Sequence, residues 1–305
     1  MNAAALRLRI ISNTQNWAEF RYSAAMVKIA KVVAFTAAIF LVASSCGDSS
    51  KSSTETSIQT IEPGSLKVCL YPGFAPFAIK GEDGTWSGWD VEFLEGFAKQ
   101  QGLTLKPVEF STFDNIWMRP GNDECDLAGT GITKTADRSA ATGTGATWSS
   151  TYYSVARGFA VLDGVQVDGI DDLAGRVVLA TKGSTADLDL QARIKKAGIT
   201  NITLQYVDAG VDAAKQLLAS GLNAPIGFAE GVGSVQTLVQ QFPGLELAWQ
   251  HCMMLPDGTI SSEPFGFPVR AKSTGVAAAL DSYIAQPTVA YPGGPGTGRD
   301  CPTGS

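Results

Sequence analysis

The chain has 305 residues, 45% hydrophobic and 17% charged, with a formal net charge of −6. That is ordinary globular content, long enough for two domains. Without residues 1–45, 18 basic residues face 28 acidic ones and no Lys/Arg cluster exists, which argues against a nucleic-acid partner and leaves small ligands open.

Lys28 and Lys31 precede an uncharged apolar run, Val32 to Ala43, that is too short to span a bilayer, which takes about 20 apolar residues. The pattern is that of an export signal, removed after use. Val42-Ala43-Ser44-Ser45-Cys46 resembles a bacterial lipobox, so Cys46 is expected to be lipidated and to begin the mature chain. Residues 1–25, with Glu19, Trp17, Phe20 and Tyr22, fit no leader, and Met26 is taken as the true start. Residues 26–45 are then the signal peptide and 46–63 a flexible, mostly Ser/Thr tether. The expected location is the outer face of the cell membrane or its periplasmic side. Cys69, Cys125, Cys252 and Cys301 remain, an even number in an exported chain, which suggests two disulfides with three connectivities open. They lie at no zinc spacing, and the single histidine, His251, reads as a surface residue. No metal or cofactor is expected.

Leu66–Leu70 reads as a strand, followed by a proline-broken aromatic loop around Phe74. Val91, Phe93, Leu94, Phe97 and Ala98 form one helical face, and 103–110 is the next strand. A short helix is expected to begin over 113–117, at Phe113 to Trp117, and to be closed by Pro120-Gly121, then a third strand at 125–128. Strand, helix, strand, helix, strand describes a parallel sheet. The same order returns between 163 and 255, with strands ending at Thr181, Val207 and Ala229-Glu230. Residues 64–160 with 264–305 are expected to form lobe 1 and 161–263 lobe 2. Extended crossings near 156–162 and 263–270 would make a hinge. The Gly/Pro-rich tail from Pro287 reads as irregular and pinned by a disulfide.

Two stretches carry chemistry. Asp126 to Arg138 ends a strand in Gly129, Thr130, Gly131 and Thr133 and closes on Arg138, whose planar fork matches a carboxylate. Lys182-Gly183-Ser184-Thr185 opens a helix whose unpaired amides suit an anion.

These pieces, with Phe74-Ala-Pro-Phe77, Gly88-Trp-Asp90, Tyr152-Tyr153 and Gly175 to Thr185 in order, resemble the extracellular solute-binding protein family 3, polar amino-acid receptors of bacterial ABC importers. The resemblance covers roughly residues 64–286. It implies an α/β, two-lobed periplasmic-binding-protein fold (type II), each lobe a mostly parallel sheet flanked by helices, joined by a two-crossing hinge. It implies a monomer that captures a small molecule and hands it to an ABC permease. Arg138, with Thr133, Ser184 and Thr185, would hold a ligand carboxylate. Thr130, Gly131 and an acid of lobe 2 would meet an amino group, and Phe74, Trp117 and Thr181 would line the pocket. Ala229 stands where the family's aspartate is expected. Glu230 takes that role with a one-residue shift or is a solvated helix-start carboxylate. The resemblance also implies a Cys69–Cys125 bridge between neighbouring strands of a 2-1-3 sheet, Cys252 and Cys301 being the remaining two.

Enzyme readings fail on inventory: a hydrolase triad would need His251, and no Gly-x-Ser-x-Gly or Walker A run exists. One survives, a cyclohexadienyl or arogenate dehydratase-like lyase on the same fold with a buried Glu230 as general acid. The main expectation is a binding protein rather than an enzyme.

Overall fold

The computed structural model describes residues 58–220 and 225–302. The leader, Cys46, the tether to residue 57 and residues 221–224 lie outside the described residues. The first part of the chain forms β1 (Ser65–Leu70), β2 (Ile79–Lys80), β3 (Trp86–Ser87), α1 (Trp89–Gln100) and β4 (Thr104–Glu109). After them come β5 (Leu127–Ala128), α2 (Ala136–Thr142), β6 (Ala146–Trp148) and β7 (Tyr153–Val155). The middle holds β8 (Arg157–Leu162), β9 (Val177–Thr181), α3 (Thr185–Ala197), β10 (Thr203–Val207) and α4 (Gly210–Ser220). Then come β11 (Gly227–Gly231), α5 (Val232–Gln241), β12 (Leu245–His251), β13 (Met253–Met254) and β14 (Ile260–Ser261). The chain returns through β15 (Glu263–Phe265) and β16 (Pro268–Arg270) to α6 (Val276–Ile284).

Two five-stranded sheets result, in the orders β4-β1-β5-β16-β6 and β10-β9-β11-β8-β12. In each, the first three strands are parallel with the earliest of them in the centre, the fourth runs antiparallel to them, and the fifth is antiparallel to the fourth. The 2-1-3 order fits the sequence: β1 buries Leu66, Val68 and Leu70 on one face and Cys69 on the other, all inaccessible to water, as suits a central strand. Helix α1 buries Val91, Leu94, Phe97 and Ala98 against that sheet, along a stripe of helical period. Both sheets aim the carboxyl ends of their parallel strands at the cleft between the lobes, where open α/β sheets bind ligands.

Some expectations are revised. Where a helix is expected between Phe113 and Pro120, the chain makes only a single 3-10 turn, Ile116–Met118. β8 is not the crossing: it is buried along nearly its whole length and pairs with β11 and β12, so it belongs to the second sheet. The hinge is the short antiparallel pair β7 and β15, with Val155 opposite Glu263 and Tyr153 opposite Phe265. Residues 58–63, placed in the tether, are fastened to the first lobe, Ile61 N–H donating to Asp126 Oδ1 at 2.8 Å and Gln59 N–H to the Thr274 carbonyl at 2.9 Å. His251 is not a free surface residue; it stacks on Trp249 at 3.9 Å and lies 2.8 Å from Asp189 Oδ2. The cysteines are bonded Cys69–Cys125 and Cys252–Cys301.

Candidate functional site

Arg138 is placed by the first turn of α2, where Thr135 caps the helix by accepting from the Arg138 N–H. Its guanidinium lies over the Trp117 ring at 4.2 Å and beside Phe113 at 5.5 Å, so the aromatics hold it from behind. Nη1 donates to the Thr133 carbonyl at 3.0 Å, and Nη2 crosses the cleft to the Gly183 carbonyl at 2.9 Å. The side chain is 96% buried, and among the described residues it has no ion-pair partner, while its Nε has no hydrogen-bond partner. Burial lowers its pKa to about 10, against the attraction of Glu263.

The opposite wall is the start of α3. Ser184 is fully buried and its hydroxyl accepts from the Asp187 N–H, so it serves as the helix cap. Thr185 Oγ1 comes 3.4 Å from Thr133 Oγ1 in the other lobe. Gly183 has φ +71°, and a Cβ there would lie 2.6 Å from Asp114 Oδ1, so only glycine lets the lobes close at this point. The Thr181 hydroxyl, at the end of β9, is buried with no partner among the described residues.

Glu230, at the end of β11, is 2% exposed. Its Oε1 accepts from the Gly231 N–H at 2.8 Å and lies 3.4 Å from Arg157 Nη1; Oε2 has no partner among the described residues. Burial raises its pKa from 4.5 to about 7, with Arg157 opposing the shift. It is therefore not a solvated helix-start carboxylate. Glu230 lines a cavity of about 260 Å³ between the lobes with Phe74, Ile79, Val211, Phe228 and Ser234. Phe74 stacks on Phe113 with centroids 4.9 Å apart, which ties the cavity wall to the Arg138 seat. A larger groove, about 840 Å³, runs from Thr133 past Lys134, Asp137, Leu255 and Arg299, and neither Arg138 nor Glu230 lines it.

Thr130 and Gly131 stand beside the cleft, but their amides are taken. Asp90 Oδ2, fully buried, accepts from the Thr130 N–H at 2.6 Å and the Gly131 N–H at 2.7 Å, and the Thr130 hydroxyl donates to the Tyr71 carbonyl at 2.8 Å. What this pair has left for a ligand is acceptor capacity: their carbonyls and the Thr130 hydroxyl oxygen.

Buried charges at the hinge and beside the cleft were not evident in the sequence. Asp90 stands there only as the end of the Gly88-Trp-Asp90 piece. Arg157 pairs with Glu263 across the hinge, and Glu263 Oε2 accepts from the Thr133 hydroxyl at 3.2 Å. Arg157 precedes a run of buried apolar residues, a place where a charge needs a partner, and that was the available signal.

Two α/β lobes joined by a two-strand hinge, with buried polar groups of both signs facing each other across the cleft, define a solute-binding protein of the two-lobed periplasmic type. The model of the bacterial extracellular solute-binding proteins, family 3, matches residues 66–287, and the chain belongs to that family. Among solved structures, an ancestral arginine-binding protein bound to arginine superposes with a TM-score of 0.61 at 22% identity, covering 72% of this chain and 91% of that one. A truncated, arginine-bound ArgBP from T. maritima gives 0.60 at 23% identity, covering 72% and 95%. The ancestral amino acid-binding protein AncCDT-1, a precursor of cyclohexadienyl dehydratase, gives 0.59 at 17% identity, covering 72% and 88%. In sequence, no curated protein matches the chain.

Proposed function

We propose that the protein captures a small carboxylate-bearing solute, a polar amino acid, between its lobes and delivers it to an ABC permease while held to the membrane by a lipid on Cys46. One observation carries this reading: Arg138 is a buried guanidinium with an unpartnered Nε and no counter-ion among the described residues. An uncompensated buried charge is costly, and a ligand carboxylate supplies what is missing. Arg157 already has Glu263, so the open positions are Arg138 for an anion and Glu230 Oε2 for a cation, the two ends of a zwitterion. Solved relatives bound to arginine and to glutamine support an amino acid. The test is a thermal-shift screen of the twenty amino acids, in which a ligand at 100 times its Kd adds about 2.7 kcal/mol. No shift with any of them, or a shift that persists in Arg138→Ala, overturns the proposal.

A second reading has its own observation. Glu230 is a buried carboxyl with a pKa near 7 on a cavity wall, the state a general acid requires. A dehydratase of prephenate or arogenate would use it to protonate the leaving hydroxyl. Turnover of either compound that Glu230→Gln abolishes would favour this reading; absence of turnover in the wild-type protein removes it.

A further inference from the structure

The family match ends at residue 287, yet the chain beyond it is built into the molecule. Tyr291 is 9% exposed and packs against Tyr152, Tyr153 and Phe93 at 4.9–5.5 Å. Its hydroxyl donates to Asp90 Oδ1 at 2.6 Å, and the other oxygen of Asp90 holds the Thr130 and Gly131 amides. Further on, the backbone lies on the hinge strand. The Gly298 N–H donates to the Ser154 carbonyl at 3.2 Å, and the Thr297 hydroxyl accepts from the Ala156 N–H at 3.1 Å. A Cβ on Gly296, at φ +89°, would fall 2.2 Å from the Ser154 carbonyl oxygen, so this contact admits no side chain. The Pro302 carbonyl accepts from Ser262 N–H at 2.6 Å, beside the second hinge strand.

The far end is covalently fixed. Cys301 is bonded to Cys252. The Cys252 carbonyl accepts from Arg193 Nη2 at 2.6 Å, and the next residue, Met253, precedes Met254, whose N–H donates to Asp189 Oδ1 at 2.6 Å. Arg193 and Asp189 belong to α3, the helix whose first residue, Thr185, meets Thr133 across the cleft. The tail thus begins under the ligand loop of one lobe and ends on the ligand-facing helix of the other.

We propose that residues 288–302 form a strap, a third connection between the lobes alongside the two hinge strands, in which Tyr291 acts through Asp90 as a positioning residue for the Thr130-Gly131 loop. A link pinned in both lobes limits how far they swing apart and so favours the closed form that binds ligand. The affinity part of this inference rests on the receptor reading above; the positioning and the strap do not.

The experiment uses the full chain and three variants: Tyr291→Phe, Tyr291→Leu and the double change Cys252→Ser/Cys301→Ser. Amide exchange at Thr130 and Gly131, radius of gyration without ligand, and affinity for L-arginine and L-glutamine are measured. Tyr291→Phe keeps the ring and loses only the hydroxyl. A packing role predicts that it behaves as wild type and that only Leu is impaired. The positioning role predicts that Phe raises exchange at the two amides about tenfold and weakens binding comparably, as for loss of one charge-assisted hydrogen bond. The cysteine variant should show a larger ligand-free radius of gyration. Wild-type exchange in Tyr291→Phe, or an unchanged radius in the cysteine variant, overturns the proposal. If the wild-type protein binds neither amino acid, the receptor reading is what fails, and exchange and scattering still decide the strap.

Discussion

Arg138 Nη2 donates across the cleft to the carbonyl of Gly183, 2.9 Å away, so the side chain proposed as the carboxylate anchor also fastens the lobes together. Its Nη1 is committed to Thr133 in its own lobe, which leaves Nε and the outer fork for a ligand. Arg138→Lys keeps the charge and loses the fork. It should reduce amino-acid affinity by about 100-fold, a loss of roughly 3 kcal/mol of charge-assisted hydrogen bonding. Titration calorimetry measures this; a lysine variant that binds as tightly as wild type contradicts the assigned role.

Glu230 makes stability depend on pH in a defined direction. Its pKa is raised in the folded chain, from 4.5 to about 7. Between those values the folded state holds a proton that the unfolded state has released, so the contribution is full below pH 4.5 and is lost as pH rises through 7. The loss is about 3 kcal/mol, from the size of the shift. Glu230→Gln should flatten the fall in melting temperature across that window; a slope identical to wild type would place the titration elsewhere.

Ligand binding should couple to the same proton. A ligand bearing an ammonium group favours the ionised carboxylate, so binding below pH 7 releases a proton, and affinity rises as pH approaches 7 and then levels. Calorimetry in two buffers of different ionisation enthalpy reads the release directly. A ligand lacking an ammonium group should release none.

Cys69–Cys125 joins the central strand β1 to the residues leading into β5, closing a loop with a sequence separation of 56. In the chain-entropy account such a loop stabilises by roughly 4 kcal/mol. Cys69→Ser/Cys125→Ser should lower the urea midpoint accordingly while leaving binding intact, since neither cysteine reaches the cleft. A loss of binding in a variant that is still folded would show that the bridge supports the site itself.

Phe74 forms part of the cavity wall and stacks on Phe113. Phe74→Ala enlarges the cavity and removes the stacked face, so affinity for the natural ligand should drop while bulkier amino acids gain relative to it. A competition screen that ranks ligands as the wild type does would mean that Phe74 does not shape selectivity.

The two-lobed plan was legible because it is written in local patterns: a short apolar strand, a helix of period 3.6, and small or hydroxyl residues at a strand end, repeated after residue 163. Arg138 and Thr185 stood out because their neighbours are ligand-like turns. What the sequence hid depends on pairing over distance. Glu263 and Arg157 sit far apart in the chain and meet only because the hinge strands run antiparallel. The resemblance implies that Trp117 lines the pocket, and only the fold shows its ring beneath the Arg138 guanidinium. Asp90 sits in a helix-opening motif, and nothing local says that two amides and two phenols converge on it. Strand β12 is hidden in the sequence because only Leu245 is buried along it and a bulge interrupts its register, so no alternation results.

The seat of Arg138 on Trp117 has an optical consequence. Among the described tryptophans, Trp117 is the one whose indole lies against Arg138, the proposed carboxylate anchor. Neutralising that cation changes the field across the ring, so the emission of this one fluorophore is a built-in gauge of occupancy, readable in a stopped-flow instrument without attaching a dye.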